Sequence, residues 1–405
     1  MSAEKLSYSF LGKMRLAIRF IALLILGIFC SCTENLKKDS KVIVADLNNV
    51  SSFFDEDVID SVTIISLQSC DTWIQRIDKV VEFDSKFYMM DQKSRTLLIF
   101  SQEGTYLCRI SNIGHATNEY IGISDFFIDK QDSTINIVSS LDKKVLKYSL
   151  NGTKLLEVQH MPKSFHRLAC YDGGYVGFMG NCCEGQPYSN FWMMDKDFHI
   201  LNSYLNINPN FEGTFHGDIA TFSEYDSKLF FLTDESREIS CISRLTSTPS
   251  VAYNLDCGEA NPPSLTANDY SDWQRMFELS NKYVMDIYRF QETDDYLITY
   301  YLYQGSFYIT MVDKTSNETK TLSLDAYSGD YLFEFGRIVS MTEDFIYTSV
   351  EAQSVYYPWK GNNGFLDFEK EYPLQVENIR RRFSDIDPDG NPFLVKYHIK
   401  KHGVQ

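Results

Sequence analysis

A phrase that returns after 48 residues constrains this chain more than any other feature. Shifting the sequence by that interval carries Asp84-Ser85 onto Asp132-Ser133, Leu98 onto Leu146, Phe100 onto Tyr148, Gly104 onto Gly152 and Leu107 onto Leu155. The shared unit is a polar turn, an apolar strand, a second strand, a glycine turn and a third strand. Asp and Ser cap their own backbone in tight turns, and Gly supplies the left-handed conformation of a short hairpin. Continuing the register gives turn pairs at Asp84-Ser85, Asp132-Ser133, Asp172-Gly173, Asp226-Ser227, Asp294-Asp295 and Glu343-Asp344, each ahead of an apolar run such as residues 175–178, 296–300 or 345–348. Six units of about 40–50 residues, each worth one small sheet, predict an all-β, six-bladed β-propeller.

Two of the units carry insertions. The 68-residue interval between Asp226 and Asp294 holds residues 264–280, where Tyr270, Trp273, Met276 and Phe277 fall on one face of a helix after Pro262-Pro263, with Ser264 as a cap. The last unit is split by residues 353–387, and its final strand lies at residues 393–399. An open ring would expose unpaired strand edges, so the apolar strand at residues 60–67 is expected to complete the last blade. The domain plan is a signal segment at 1–31, a tether at 32–59 and the propeller at 60–401.

The N-terminus reads as an address. Residues 20–29 are uncharged and apolar, preceded by Lys13, Arg15 and Arg19. Ten residues are too few to span a bilayer, which needs about 20, but they have signal-peptide proportions. Met14 opens a compact basic segment, so the true start is expected there. The run ends in Phe29-Cys30-Ser31-Cys32, which resembles a bacterial lipobox with Cys32 as the acylated residue; acyl chains then hold the protein to a membrane at about 0.8 kcal/mol per buried CH₂. The other cysteines are scattered except for Cys182-Cys183, and the expectation there is two small buried residues rather than a metal chelate.

The lipobox, the Asp-Ser-Val strand that begins at Asp60 and the Asp-turn blades together resemble a family of six-bladed β-propeller lipoproteins of Bacteroides-type bacteria, similar to NHL-repeat propellers. In that family the first blade ends in Ile-Gly-x-x-Gly-x-Gly-Pro-Gly-Glu-Tyr. Residues 113–120, with His115 among them, hold that place here, keeping Glu119-Tyr120 while replacing the Gly-Pro-Gly by Ala116-Thr117-Asn118. Asn391-Pro392 before the final strand matches a second family phrase. The resemblance implies a cell-envelope location and a propeller fold, and no settled activity.

Chemistry-bearing motifs are sparse. The chain has 38 Lys and Arg against 55 Asp and Glu, a net charge of −17, and removal of residues 1–31 takes this to −20. Phosphate backbones need a basic footprint, so nucleic acid is excluded as a partner. Zinc-protease, nucleophile-elbow and phosphate-loop motifs do not occur, and the histidines at 115, 160, 166, 199, 216, 398 and 402 are dispersed. Asp385, Asp387 and Asp389 with Gly390 read as the opening of a calcium loop, but the twelfth position is Lys396 rather than Glu, so an acidic hairpin turn is expected. Tyr356, Tyr357 and Trp359 could form an aromatic platform for a sugar or peptide, as could the loop of His115, Glu119 and Tyr120. The sequence implies no cofactor and leaves the oligomeric state open. It points to a lipid-anchored, non-enzymatic envelope propeller that binds an envelope protein or a glycan. The alternatives are a carbohydrate-active hydrolase or lyase using acidic residues at the channel, and a structural subunit of an outer-membrane complex.

Overall fold

The computed structural model describes residues 40–53, 58–69, 73–207, 212–213, 220–233, 236–243, 248–264, 269, 272–324, 336–353, 370, 373–374, 377, 381, 387 and 389–402. The signal segment, Cys32, Asp385, Tyr356, Tyr357 and Trp359 lie outside them. Among the described residues the strands form six sheets, each built on four antiparallel strands, given below from the innermost outward. Blade 1 is Lys79–Phe83, Lys86–Asp91, Thr96–Ser101 and Tyr106–Ile110; blade 2 is Asp125–Asp129, Thr134–Ser139, Lys144–Ser149 and Leu155–His160; blade 3 is Arg167–Tyr171, Gly174–Phe178, Ser189–Met194 and Ile200–Asn206. Blade 4 runs through Phe222–Tyr225, Lys228–Phe231, Glu238–Ser243 and Ser250–Asp256, and blade 5 through Ile287–Glu292, Tyr296–Tyr303, Ser306–Asp313 and Thr319–Ser323. Blade 6 takes Arg337–Met341, Phe345–Val350 and Phe393–Ile399 from the C-terminal part and Ile59–Ile65 from the N-terminal part, with Val395 opposite Ile64.

The turn pairs sit where the repeat places them. In blades 1, 3 and 4 they are two-residue hairpins with both residues at positive φ: Asp84 and Ser85 (49° and 56°), Asp172 and Gly173 (48° and 79°), Asp226 and Ser227 (46° and 60°). That turn has the handedness of the strand twist. Gly104 does more than turn. Its φ is +83°, and a Cβ there would lie 2.0 Å from the Ser66 carbonyl oxygen, so the chain just beyond the closing strand passes directly over it.

The apolar mass lies between blades rather than within them. Tyr88 and Leu97 of blade 1 pack with Phe126 and Ile135 of blade 2; Val138 and Val145 pack with Leu168 and Trp192 of blade 3; Phe178 and Phe191 pack with Leu229 and Phe231 of blade 4. Phe230 and Leu255 then meet Phe290 and Leu297 of blade 5, and Ile298 and Ile309 meet Ile346 and Val395 of blade 6. The sixth seam joins Val339, Tyr347 and Leu394 of blade 6 to Val80, Phe87 and Leu98 of blade 1, which closes the ring. Most of the 15% aromatic content is consumed in these seams.

Two details depart from the sequence expectations. The stretch read as a tether contributes β-structure: Lys41–Val44 adds in parallel to the outer strand of blade 4, and Val50–Ser52 to that of blade 5. Ile43 and Phe53 are buried there, so the sheet structure begins at residue 41 rather than 60. The described helix of the insertion is Trp273–Ser280, capped by Asp272, whose carboxylate accepts from the Arg275 amide at 3.0 Å, and not by Ser264. It docks through Leu279, which is buried, while Phe277 of the expected face is exposed. With only two turns, the helix is held by its last residues and their junction with the following strand.

Candidate functional site

The six inner strands run in the same direction, so their first residues meet at one mouth of the central channel and their last residues at the other. The channel has a volume of about 380 Å³ and is lined from all six blades. At the strand-start mouth, charged residues stitch five of the blades together. Arg167 of blade 3 donates to the Ser124 carbonyl ahead of blade 2. Asp125 of blade 2 accepts from the Leu168 amide at 3.2 Å and from Lys79 Nζ of blade 1 at 2.7 Å, and Lys79 also donates to the Phe126 carbonyl at 2.7 Å. Asp78 takes Arg337 Nη1 of blade 6 at 3.2 Å, Arg76 Nε at 2.7 Å and the Gln92 amide at 2.8 Å. Arg289 Nη2 of blade 5 donates to the Ile338 carbonyl of blade 6 at 2.6 Å. These contacts run without a break through blades 3, 2, 1, 6 and 5.

The two mouths differ in charge. At the strand starts Lys79, Arg167 and Arg289 line the channel with Asp78 and Asp125, an excess of one positive charge, while Arg76, Arg337 and Asp286 stand outside the lining. Arg167 and Arg289 are only 8% exposed and Asp125 1%, whereas the Lys79 side chain is 34% exposed. At the strand ends the lining charges are Lys130, Glu224 and Glu343. Burial, with Arg167 beside it, pushes the His166 imidazole below its usual value, so it is neutral at neutral pH. Burial, reinforced by Asp129, pushes the Cys170 thiol in the channel wall well up; a protonated thiol is a poor nucleophile.

The loop of residues 113–120 proves to be self-contained. Tyr120 is fully buried, and its hydroxyl donates to the Arg95 carbonyl at 3.0 Å and the Ile110 carbonyl at 3.1 Å. It is a core residue and not part of a binding surface, because the isolated bridge from Ile113 to Tyr120 folds the phrase back onto blade 1. Glu119 folds over Gly114 and accepts from the Ala116 amide at 2.9 Å. Lys144 fastens the loop through the Ala116 and Glu119 carbonyls. His115 alone of the three is exposed. At the other predicted site, Asp387 accepts from the Asp389 amide at 3.0 Å, and its carbonyl accepts from Gly390 at 2.8 Å, the geometry of an acidic turn. Cys182 and Cys183 are half-buried against the blade 3 core.

Three groups escaped the sequence reading. The channel stitches left one usable signal: Lys79, Arg167 and Arg289 each lie five positions ahead of a turn pair, with Asp125 seven and Arg337 six ahead. The second group consists of carboxylates set between blades, Glu82 half-buried and Glu292 buried. Glu82 of blade 1 accepts from Lys396 Nζ at 2.8 Å, from the Tyr347 hydroxyl and from Gln102 at 2.9 Å, joining blade 6 to blade 1. Glu292 of blade 5 accepts from the Tyr253 hydroxyl of blade 4 at 2.9 Å and from Lys314 at 3.0 Å. The third is an exposed turn in which Asp195 holds His199 at 2.9 Å, with Asp197 beside it.

A family model described as "Domain of unknown function (DUF4934)" matches residues 41–398. No protein of curated function matches the sequence. Among solved structures, a "Putative exported protein" from Bacteroides fragilis is 18% identical with a TM-score of 0.71, covering 89% of this chain and 100% of that one. A member of the DUF4221 family from Bacteroides vulgatus is 12% identical with a TM-score of 0.50, covering 85% of this chain and 97% of that one. At these identities the likeness is one of fold.

Proposed function

The chain belongs to the DUF4934 family, and from that premise we propose that it is a lipid-anchored cell-envelope propeller that binds a glycan or protein partner without turning it over. The observation that carries this reading is the state of the carboxylates at the basic mouth. Asp78 and Asp125 each accept several hydrogen bonds from cations and backbone amides of the chain itself. Carboxylates engaged this way are taken up in holding blades together. A glycosidase needs two carboxyls that can reach the scissile bond. The exported character given for the Bacteroides fragilis neighbour accords with an extracytoplasmic address, as does the lipobox ending at Cys32.

Two measurements test the proposal. Metabolic labelling with an acyl probe should mark the wild-type protein and not Cys32→Ala; an equal label on both would remove the anchor. A glycan array and a pull-down from envelope extracts should retain a partner unchanged, and release of hydrolysed or eliminated sugar would replace binding with catalysis.

A further inference from the structure

The channel lining carries four cations and four carboxylates, so it has no net charge to offer a ligand. At the strand-start mouth these charges are already engaged: Lys79 holds Asp125, Arg167 and Arg289 hold backbone carbonyls, and Asp78 holds Arg337. A charged molecule would give up its hydration there without gaining a free counter-ion. What the lining leaves free is neutral. Gln92 of blade 1, Ser223 of blade 4 and Ser340 of blade 6 are half-buried in it, and their side chains have no hydrogen-bond partner among the described residues. Thr221, just ahead of the inner strand of blade 4, is 2% exposed, and its hydroxyl has no partner among them either. Blade 4 meets blade 5 at this mouth through another neutral pair, the Ala220 amide and the Tyr288 carbonyl at 2.8 Å. A polar group left unmet in a cavity wall costs more than a paired one. Each hydroxyl can both donate and accept, and the Gln92 amide offers one end of each kind.

We propose that the central channel binds one neutral sugar ring, a free hexose or the terminal residue of a glycan, through Gln92, Ser223 and Ser340. This rests on the binding reading above and specifies its ligand class. Sugar hydroxyls donate and accept at once, which is what these three side chains require of a partner. The C–H face of the ring would lie against the apolar part of the wall, which includes Val80, Leu168 and Val339. A volume of about 380 Å³ lies at the small end of ligand pockets and suits one compact molecule. A neutral ring also loses far less on leaving water than an ion does.

Calorimetric titration of the full chain with glucose, galactose and N-acetylglucosamine tests the site, with glucuronate and glucosamine as charged counterparts. At least one neutral sugar should bind, and its affinity should not change as salt is raised. Both charged counterparts should bind at least about tenfold more weakly, since neither finds a free counter-ion. Ser223→Ala and Ser340→Ala should each weaken binding about fivefold, which corresponds to about 1 kcal/mol, with an unchanged circular dichroism spectrum. Ser250→Ala, on the outer strand of blade 4, should leave binding unchanged. Silence from all three neutral sugars, a charged counterpart bound as tightly as the best neutral one, or equal losses for Ser340→Ala and Ser250→Ala would overturn the proposal. Silence from the three sugars together with a partner retained on the array or in the pull-down refutes the channel site and leaves the binding reading intact. Turnover of a bound neutral sugar does the reverse.

Discussion

Replacing Glu82 by Gln removes one charge from the seam where blade 6 meets blade 1, and the structure sets the size of the effect. Glu82 accepts from Lys396, Tyr347 and Gln102, with its side chain 18% exposed and that of Lys396 13%. Gln keeps the shape but turns an NH₂ group toward donors and leaves the Lys396 ammonium without its counter-charge. One-sided removal of a buried ion pair costs about 3–5 kcal/mol. Residual exposure softens this, and Lys396 keeps the Phe345 ring face at 3.8 Å, an interaction worth about 0.5–2 kcal/mol. The expected loss is therefore about 2–3 kcal/mol, read from urea unfolding with an unchanged slope. Glu82→Gln combined with Lys396→Met should recover part of it, because no buried charge is then stranded. The loss should also depend on pH. Burial raises the Glu82 carboxyl, but the hydrogen bonds from Lys396 and Tyr347 outweigh it and hold the group below its ordinary 4.5. A depressed folded value contributes stability that is present above the unfolded value and lost as pH falls through the folded one. The gap between wild type and Glu82→Gln should thus narrow on acidification below about 4.5. A single-variant loss under about 0.5 kcal/mol, the size of an ordinary surface change, or a double variant no better than the sum of the singles, would refute the argument.

Three further outcomes follow from the geometry. Gly104→Ala should destabilise severely, because left-handed strain of about 1 kcal/mol combines with a Cβ 2.0 Å from the Ser66 oxygen, while Gly173→Ala, with open space around it, should cost only the strain; paired thermal melts distinguish them. Tyr120→Phe should lose about 1–3 kcal/mol in urea unfolding, because the Arg95 and Ile110 carbonyls lose their hydroxyl donor. Replacing Ile43 and Phe53 by Ser should raise amide exchange in Ser250–Asp256 and Thr319–Ser323, the outer strands on which the N-terminal strands lie, more than in blade 2.

The repeat was legible because each blade needs the same turn at the same place, and Asp-Ser or Asp-Gly supplies the positive φ that the hairpin demands. The closing strand was legible for a related reason, since a ring with unpaired edges is unstable and residues 60–67 form an apolar strand ahead of the first unit. The two N-terminal strands were not. Lys41–Val44 and Val50–Ser52 are three or four residues long and alternate with polar neighbours, so their pairing depends on blades encoded more than 200 positions later. The channel mouth was hidden for the same physical reason: it takes a residue or two from each repeat, and Lys79, Arg167 and Arg289 meet only once the circle is formed. Tyr120 misled in the opposite way. A Glu-Tyr phrase on a loop reads as a surface, yet its hydroxyl is a clamp on backbone carbonyls.

The pairing of Ile64 with Val395, 331 positions apart, also sets a timetable. Because the strand that completes blade 6 is made near the beginning and its partner near the end, a chain emerging from a ribosome or a translocation pore cannot finish its circle until almost every residue is out. Non-local pairing of this kind slows folding, and in the interval the edge of Phe393–Ile399 or of its waiting partner is open to strands of other chains. The N-terminal segment reaches the outer edges of blades 4, 5 and 6 in turn, so it engages the last-made half of the molecule and leaves the first-made half free to form early. Vectorial assembly is the expected outcome: in pulsed amide exchange blades 1 to 3 should gain protection first, with the late half fastened by residues that were waiting from the start.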